Sequence, residues 1–297
     1  MTTTITQDEV LTRAIGLPSF PRVVIEILAS LDDPETNLNV LTDLIGHDPV
    51  IAARVLSFAN RAAARTRHIS AVSDIYTATS LIGMGRVREI SLISSLGEFV
   101  GTSASEVMSA SYWQHSIAVG VCAQELAIHI DEPISSDSAL IAGLLHDIGQ
   151  LWLYRFHQDT FKMALNEAHS QAIALETVEH RHFAVGHTQI GAWLAEHWAL
   201  PADITAAIAH HHAPDAALGD LLVPVLAVAE VLANGLDLVE RAENRVTHIS
   251  SAACKRLDLV FDAGIQPLFG RIEARSRHAN LMFASELSFP RKLVCQG

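Results

Sequence analysis

Positive charge is scarce in this chain. Its 297 residues carry 20 Lys and Arg against 33 Asp and Glu, a formal net charge of −13, and the basic residues form no cluster. Direct binding of a nucleic-acid backbone, which draws its affinity from Lys and Arg at the phosphates, is therefore not expected. Cysteine is scarce too. Cys122, Cys254 and Cys295 make an odd set without CxxC spacing, and Cys122 falls in an apolar helical pattern. That argues against a disulfide scaffold and for a reducing, cytoplasmic setting. Long hydrophobic runs are missing as well. The longest, Leu221 to Ala229, contains Pro224 and runs into Glu230, too short for a bilayer, so no membrane partner is expected. The first residues lack the basic start and apolar core of a signal peptide. No dinucleotide-binding glycine fingerprint, phosphate-binding P-loop, HExxH helix or GxSxG elbow occurs. Those absences remove the phosphate-cradling loops, the zincin proteases and the serine hydrolases.

Apolar residues, in contrast, make up 49% of the chain while aromatics reach only 6%. Ala and Leu dominate and recur at helical spacing, which predicts an all-α protein. Residues 1–16 read as an N-terminal extension. Residues 17–100 read as a lobe of short helices, entered through Leu17-Pro18-Ser19-Phe20-Pro21 and followed by a stripe at Val24, Ile27, Leu28 and Leu31. Asn37 is a candidate cap for the next helix, with Leu41, Leu44 and Ile45 inward. Asp48-Pro49 signals a helix start, a capping carboxylate before a proline at the first helical position, with Ile51, Val55, Leu56 and Ala59 on one face. Gly101 to Ser105 reads as a short linker or cap. Beyond it, 105–240 reads as longer helices, and 241–297 as an extension with helices near Lys255–Val260 and Pro267–Met282 and a loosely specified tail.

Most of the 16 histidines fall between His115 and His212. His115 lines up with Val119, Cys122 and Leu126 on an apolar face. His146 and Asp147 interrupt the apolar segment Leu140–Leu151. His187 shares a face with Ile190, Gly191, Leu194 and Trp198, and His211 and His212 extend the stripe of Ile204 and Ile208. Glu230 sits in an otherwise apolar helix, where an ionised carboxylate needs a cation, a protonated neighbour or a place on the rim. A lone inward histidine is usually a hydrogen-bonded core residue. His115, His146, Asp147, His187, His211, His212 and Glu230 together point to a shared polar site able to hold a divalent metal. Imidazole and carboxylate without thiolate suit Fe, Mn, Zn or Ni alike.

With those residues in view, the chain resembles bacterial HDOD proteins, a branch of the HD metal-dependent phosphohydrolase superfamily. The resemblance covers roughly residues 15–240. It rests on Leu17-Pro18-x-x-Pro21, Asp48-Pro49 with Val55-Leu56 and Ala59-Asn60, Trp113-x-His115-Ser116, and Gly143-Leu144-Leu145-His146-Asp147-Ile148-Gly149. Glu179, His187, Gly191, Trp198-x-Leu200-Pro201 and His211-His212-x-Pro214 complete it. It implies a small N-terminal helical lobe packed on an HD-type helical core. In the superfamily, residues matching His115, His146 and Asp147, with a late Asp, form the basic metal site. His187, His211 and His212 match further metal positions of the related HD-GYP phosphodiesterases. Two positions depart from the pattern: Glu230 stands where Asp is expected, and Gln150 where the catalytic relatives carry Lys. Ala213-Pro214-Asp215-Ala216 replaces their GYP motif.

Two readings follow. In the first, the chain is a signalling output or scaffold module that binds a partner protein or a nucleotide, as a monomer or homodimer, and keeps the metal site as structure or sensor. In the second, it is a metal-dependent phosphohydrolase with His146 and Asp147 at the chemistry.

Overall fold

The computed structural model describes residues 3–14, 21, 23–24, 26–27, 38–46, 48–64, 72–103, 106–238 and 249–287. The expected Asn37 cap, Leu17 to Phe20, Leu28 and Leu31 lie outside these residues. Among the described residues every regular element is helical, as the composition predicts. No helix among them is long and apolar enough to cross a membrane.

After α1 (Gln7–Ala14), four helices build a small core: α2 (Leu38–Gly46), α3 (Pro49–Ala64), α4 (Ile75–Ile82) and α5 (Met84–Ser103). Asp48 caps α3 as its sequence predicts, its carboxylate accepting from the Ile51 amide at 3.1 Å. The α3 stripe of Ile51, Val55 and Ala59 is buried against Leu41 and Ile45 of α2, Ala78 of α4 and Val87 and Ile90 of α5. Each large aliphatic residue in that stripe contributes about 1.5–3 kcal/mol by leaving water. Asn60 fastens the chain entering α4 to α3: its side-chain amide donates to the carbonyls of Leu56 and Val72, and its oxygen accepts from the Val72 amide. One helix serves two cores. Val87 and Ile90 of α5 face the small core, while Leu92 and Ile93 face the larger one. Gly101, Thr102 and Ser103 form the end of α5.

The larger core is built by α6 (Glu106–His129), α7 (Ser136–Leu145), α8 (Ile148–Phe156), α9 (Gln158–Gln171), α10 (Leu175–Phe183), α11 (His187–His197), α12 (Ala202–His210) and α13 (Leu222–Gly235). Around α6, residues from Tyr112 to Ala127 are buried almost without a break, so α6 is a central strut rather than an amphipathic surface helix. It crosses α7 at two glycines. A Cβ on Gly143 would lie 2.4 Å from the Cα of Gly120, so only glycine allows the backbones this close. A second close approach joins α8 to α11, where a Cβ on Gly149 would lie 2.0 Å from the carbonyl oxygen of His187.

At the C-terminal end, α14 spans Ser251–Arg256, capped by Ser250, and begins four residues before the Lys255–Val260 helix read from the sequence, overlapping it only at Lys255 and Arg256. The last helix, α15 (Gln266–Leu287), includes the expected Pro267–Met282 segment. It lays Leu268, Ile272, Ser276 and Ala279 inward. Arg271 and Arg275 reach the buried carboxylate of Glu125 on α6 at 2.8 and 2.6 Å. Arg275 also pairs with Glu89 of α5 at 3.2 Å.

Candidate metal centre

Asp147 stands at the centre of the site. The sequence places it with His146 inside a continuous apolar helix, but the structure breaks the helix there. α7 ends at Leu145, His146 and Asp147 form a turn, and α8 begins at Ile148. The break matters because neighbours on one helix point about 100° apart, whereas the turn lets both side chains serve one site. His146 and Asp147 are buried, at 0% and 2% exposure.

The two Asp147 oxygens face different groups. Oδ2 lies 3.2 Å from His146 Nε2 and 3.8 Å from His115 Nε2. Oδ1 lies 3.3 Å from His187 Nε2 and 4.0 Å from His211 Nε2. Across the site, His212 Nε2 stands 3.1 Å from His187 Nε2. Two sets of potential ligand atoms, each within 4.8 Å of one another, share Asp147: His115, His146 and Asp147, and Asp147, His187, His211 and His212.

Three histidines are oriented from behind. A carbonyl can only accept, so the Nδ1 atoms of His146 and His211, each 2.8 Å from a carbonyl (Gly143 and Ile208), carry the proton. Their Nε2 lone pairs therefore point into the site. His187 Nδ1 lies 2.6 Å from Oε2 of the fully buried Glu179, which also accepts from the His187 amide at 2.8 Å. This is the orienting shell that metal-binding imidazoles carry.

The donor set fits a divalent cation. The Nε2 atoms of His146 and His211 are buried and make no hydrogen bond, which an apolar interior penalises. Tetrahedral bonds of about 2.1 Å put ligand atoms roughly 3.4 Å apart. The nitrogen–oxygen separations around Asp147 bracket that value and exceed a good hydrogen bond. His115, His146 and Asp147 would hold one cation, and His187, His211 and His212, sharing Asp147, offer a second group of ligands.

Electrostatics reflects the crowding. Burial works against ionising Asp147, but His146, His187 and His115 hold its carboxyl well below the usual carboxylate range. Burial also opposes a charge on His187, yet Glu179 and Asp147 push it up to about 10. For His146 the same opposition from burial is overcome by Asp147, and its value is raised. Burial together with the neighbouring His212 and His146 drives His211 well below the ordinary value, so it is a neutral imidazole.

Not every candidate stands where the sequence puts it. His115, His146, Asp147, His187 and His211 are buried together, but His212 is not inward: its side chain is 31% exposed. α12 ends at His210, and the following turn carries the second histidine of the pair to the rim. Glu230 is absent from both ligand groups. Its carboxylate faces His212 Nδ1 at 3.5 Å on the rim, one of the placements its sequence context allows. Gln150 donates its amide to Asp147 Oδ1 at 2.7 Å. Glu179 enters the sequence reading only as a motif position of the resemblance, and its role behind His187 is visible only in the structure. Gly149 had a signal in the motif, but its purpose is visible only against His187.

Three solved structures share this fold. One is an HDOD domain protein of unknown function from Geobacter sulfurreducens, 23% identical, at TM-score 0.72 over 92% of this chain and 99% of that one. A second, from Marinobacter aquaeolei VT8 and provisionally named a signal transduction protein, is 24% identical at TM-score 0.71, covering 92% of this chain and 61% of that one. A third, from Shewanella amazonensis SB2B and provisionally named a phosphohydrolase, is 21% identical at TM-score 0.67, covering 94% and 98%. An uncharacterized protein of Treponema pallidum (strain Nichols) is 25% identical over 201 residues, or 67% of this chain. The chain spans 38% of the length of that relative. The HDOD domain family model matches residues 17–214, and the chain belongs to the HDOD domain family.

Proposed function

We propose that this chain is a signalling output or scaffold module that holds a divalent metal at Asp147 and binds a partner protein or a nucleotide through its helical surface. The observation that carries the metal site is the ring of Nε2 atoms around a buried carboxylate, two of them with no hydrogen bond. A divalent cation bound there would polarise a phosphoryl oxygen and lower the pKa of a bound water. The chain's own residues do the rest. Asp147 presents one oxygen to each histidine group, Glu179 fixes the ring of His187, and the carbonyls of Gly143 and Ile208 fix those of His146 and His211. The buried side chains exclude water except at the rim of His212 and Glu230, and a ligand would approach there.

The signalling reading is favoured by Gln150. It puts a neutral amide on the central carboxylate where the catalytic relatives of the superfamily carry a lysine. The two ligand groups sharing Asp147 favour the second reading, a metal-dependent phosphohydrolase, because paired sites clamp the attacking and leaving oxygens of a phosphoryl group.

Elemental analysis of purified protein, before and after reconstitution with Fe, Mn, Zn and Ni, tests the site. Retained metal that is lost in His146→Ala is the expected result. No metal under any condition overturns it. The metal-loaded protein is then given bis-p-nitrophenyl phosphate and a panel of nucleotides. Binding without turnover supports the signalling module, while turnover abolished by Asp147→Ala replaces it with the enzyme.

A further inference from the structure

We propose that Gln150 makes the two halves of the metal centre unequal, so that the chain holds one cation firmly and a second only weakly. The inference rests on the metal reading above and concerns how many ions the site accepts.

The asymmetry lies in Asp147. Its Oδ2 faces His146 and His115 at 3.2 and 3.8 Å, and all three residues of this group are buried. Its Oδ1 faces His187 at 3.3 Å and His211 at 4.0 Å, and is also the acceptor of the Gln150 amide at 2.7 Å. That hydrogen bond is held in place by the backbone. Gln150 lies in the first turn of α8, its own amide donating to the Asp147 carbonyl at 2.8 Å, so side chain and carboxylate stay in register.

Three consequences follow for a cation on the Oδ1 side. The amide hydrogens draw electron density from the one oxygen that this group would use. The amide's positive edge stands next to the place a second positive charge would occupy. The fourth member of the group, His212, is on the rim with its side chain 31% exposed, so water competes for its place in the shell. None of these applies on the Oδ2 side. The sequence alone marks Gln150 only as the loss of a lysine. In the structure it has a positive role, since it fills part of the coordination of Oδ1 with a neutral donor.

The test is a Mn(II) titration of the metal-stripped full chain, read by the electron paramagnetic resonance signal of free ion, for wild type, Gln150→Ala and Gln150→Leu. Wild type should show one tight site and a second, weaker one. Loss of a hydrogen bond to a charged group should tighten the second site about tenfold or more in both variants, leaving the first unchanged. Leu keeps the bulk of Gln without its donor, so agreement of Ala and Leu separates the hydrogen bond from packing. An unchanged or weakened second site in Ala and Leu overturns the role of Gln150 while leaving the metal centre standing. Two sites of equal affinity in wild type overturn it as well. No Mn(II) bound by any of the proteins sinks the metal reading itself, and this inference with it.

Discussion

Gly149→Ala is the sharpest perturbation of this site that adds no polar group and removes none. The new methyl carbon would sit 2.0 Å from the His187 carbonyl oxygen and 2.8 Å from its carbon, with the Gly191 amide at 3.0 Å. A carbon rests no nearer to a carbonyl oxygen than about 3.3 Å, so α8 and α11 must part by roughly 1.3 Å. Nothing soft lies in the way, because the atoms it meets belong to backbone. The cost belongs at the upper end for overpacked interiors, about 3 kcal/mol. For a chain of this size that lowers the melting temperature by about 5 °C. The same parting acts on the 3.3 Å approach of His187 to Asp147. Metal affinity should fall by about 10–100-fold, the range found when the support of a ligand is disturbed. Gly270→Ala is the control. Gly270 is exposed in α15 with nothing within 4 Å of the added carbon. It should gain about 0.5–1 kcal/mol from helix propensity and leave metal binding untouched. Calorimetry and Mn(II) titration on both variants read both effects. A Gly149→Ala protein that melts with the wild type and binds Mn(II) equally well would refute the claim that this close approach builds the centre.

The C-terminal helix gives an acid-limb prediction. Burial raises Glu125, but Arg275 and Arg271 more than offset this and hold it below its ordinary 4.5. A lowered carboxyl stabilises the fold above its unfolded value and loses that contribution as pH falls through the folded one. Glu125→Gln should therefore cost about 3 kcal/mol near neutrality, with the gap to wild type closing in denaturant melts as pH falls below the ordinary 4.5. Asn60→Ala strips the buried Val72 of partners for both its amide and its carbonyl, and should cost about 1–3 kcal/mol by urea unfolding. Chelation should remove about 2.7 kcal/mol of stability from protein loaded at a hundred times the dissociation constant, seen as a lower melting temperature, and leave His146→Ala where it was.

Much of the site could be read from the chain because burial and polarity conflict along it. His115, His146 and Asp147 stand on apolar faces, and such a conflict needs only helical periodicity to be seen. The same periodicity misled at two places. It carried the helix through His146 and Asp147, although adjacent residues on a helix diverge too far to serve one centre. It also pointed His212 inward, although α12 stops two residues short. Glu179 was invisible as an orienting group because eight residues separate it from His187, and its carboxylate is buried only once α10 and the start of α11 fold back on each other.

The sequence by itself determined the all-helical class, the capping of α3 at Asp48, the inward stripe of Val55 and Ala59, and the types of ligand available, since all of these are local consequences of spacing and side-chain chemistry. The tertiary structure alone decided which oxygen of Asp147 faces which histidine, that Gln150 occupies one of them, and that Glu230 stays at the rim beside His212. It also decided how closely α6 and α7 could approach, through Gly120 and Gly143. Distances of a few ångströms between residues a hundred positions apart depend on how helices cross, and the period of a single helix carries no record of its crossings.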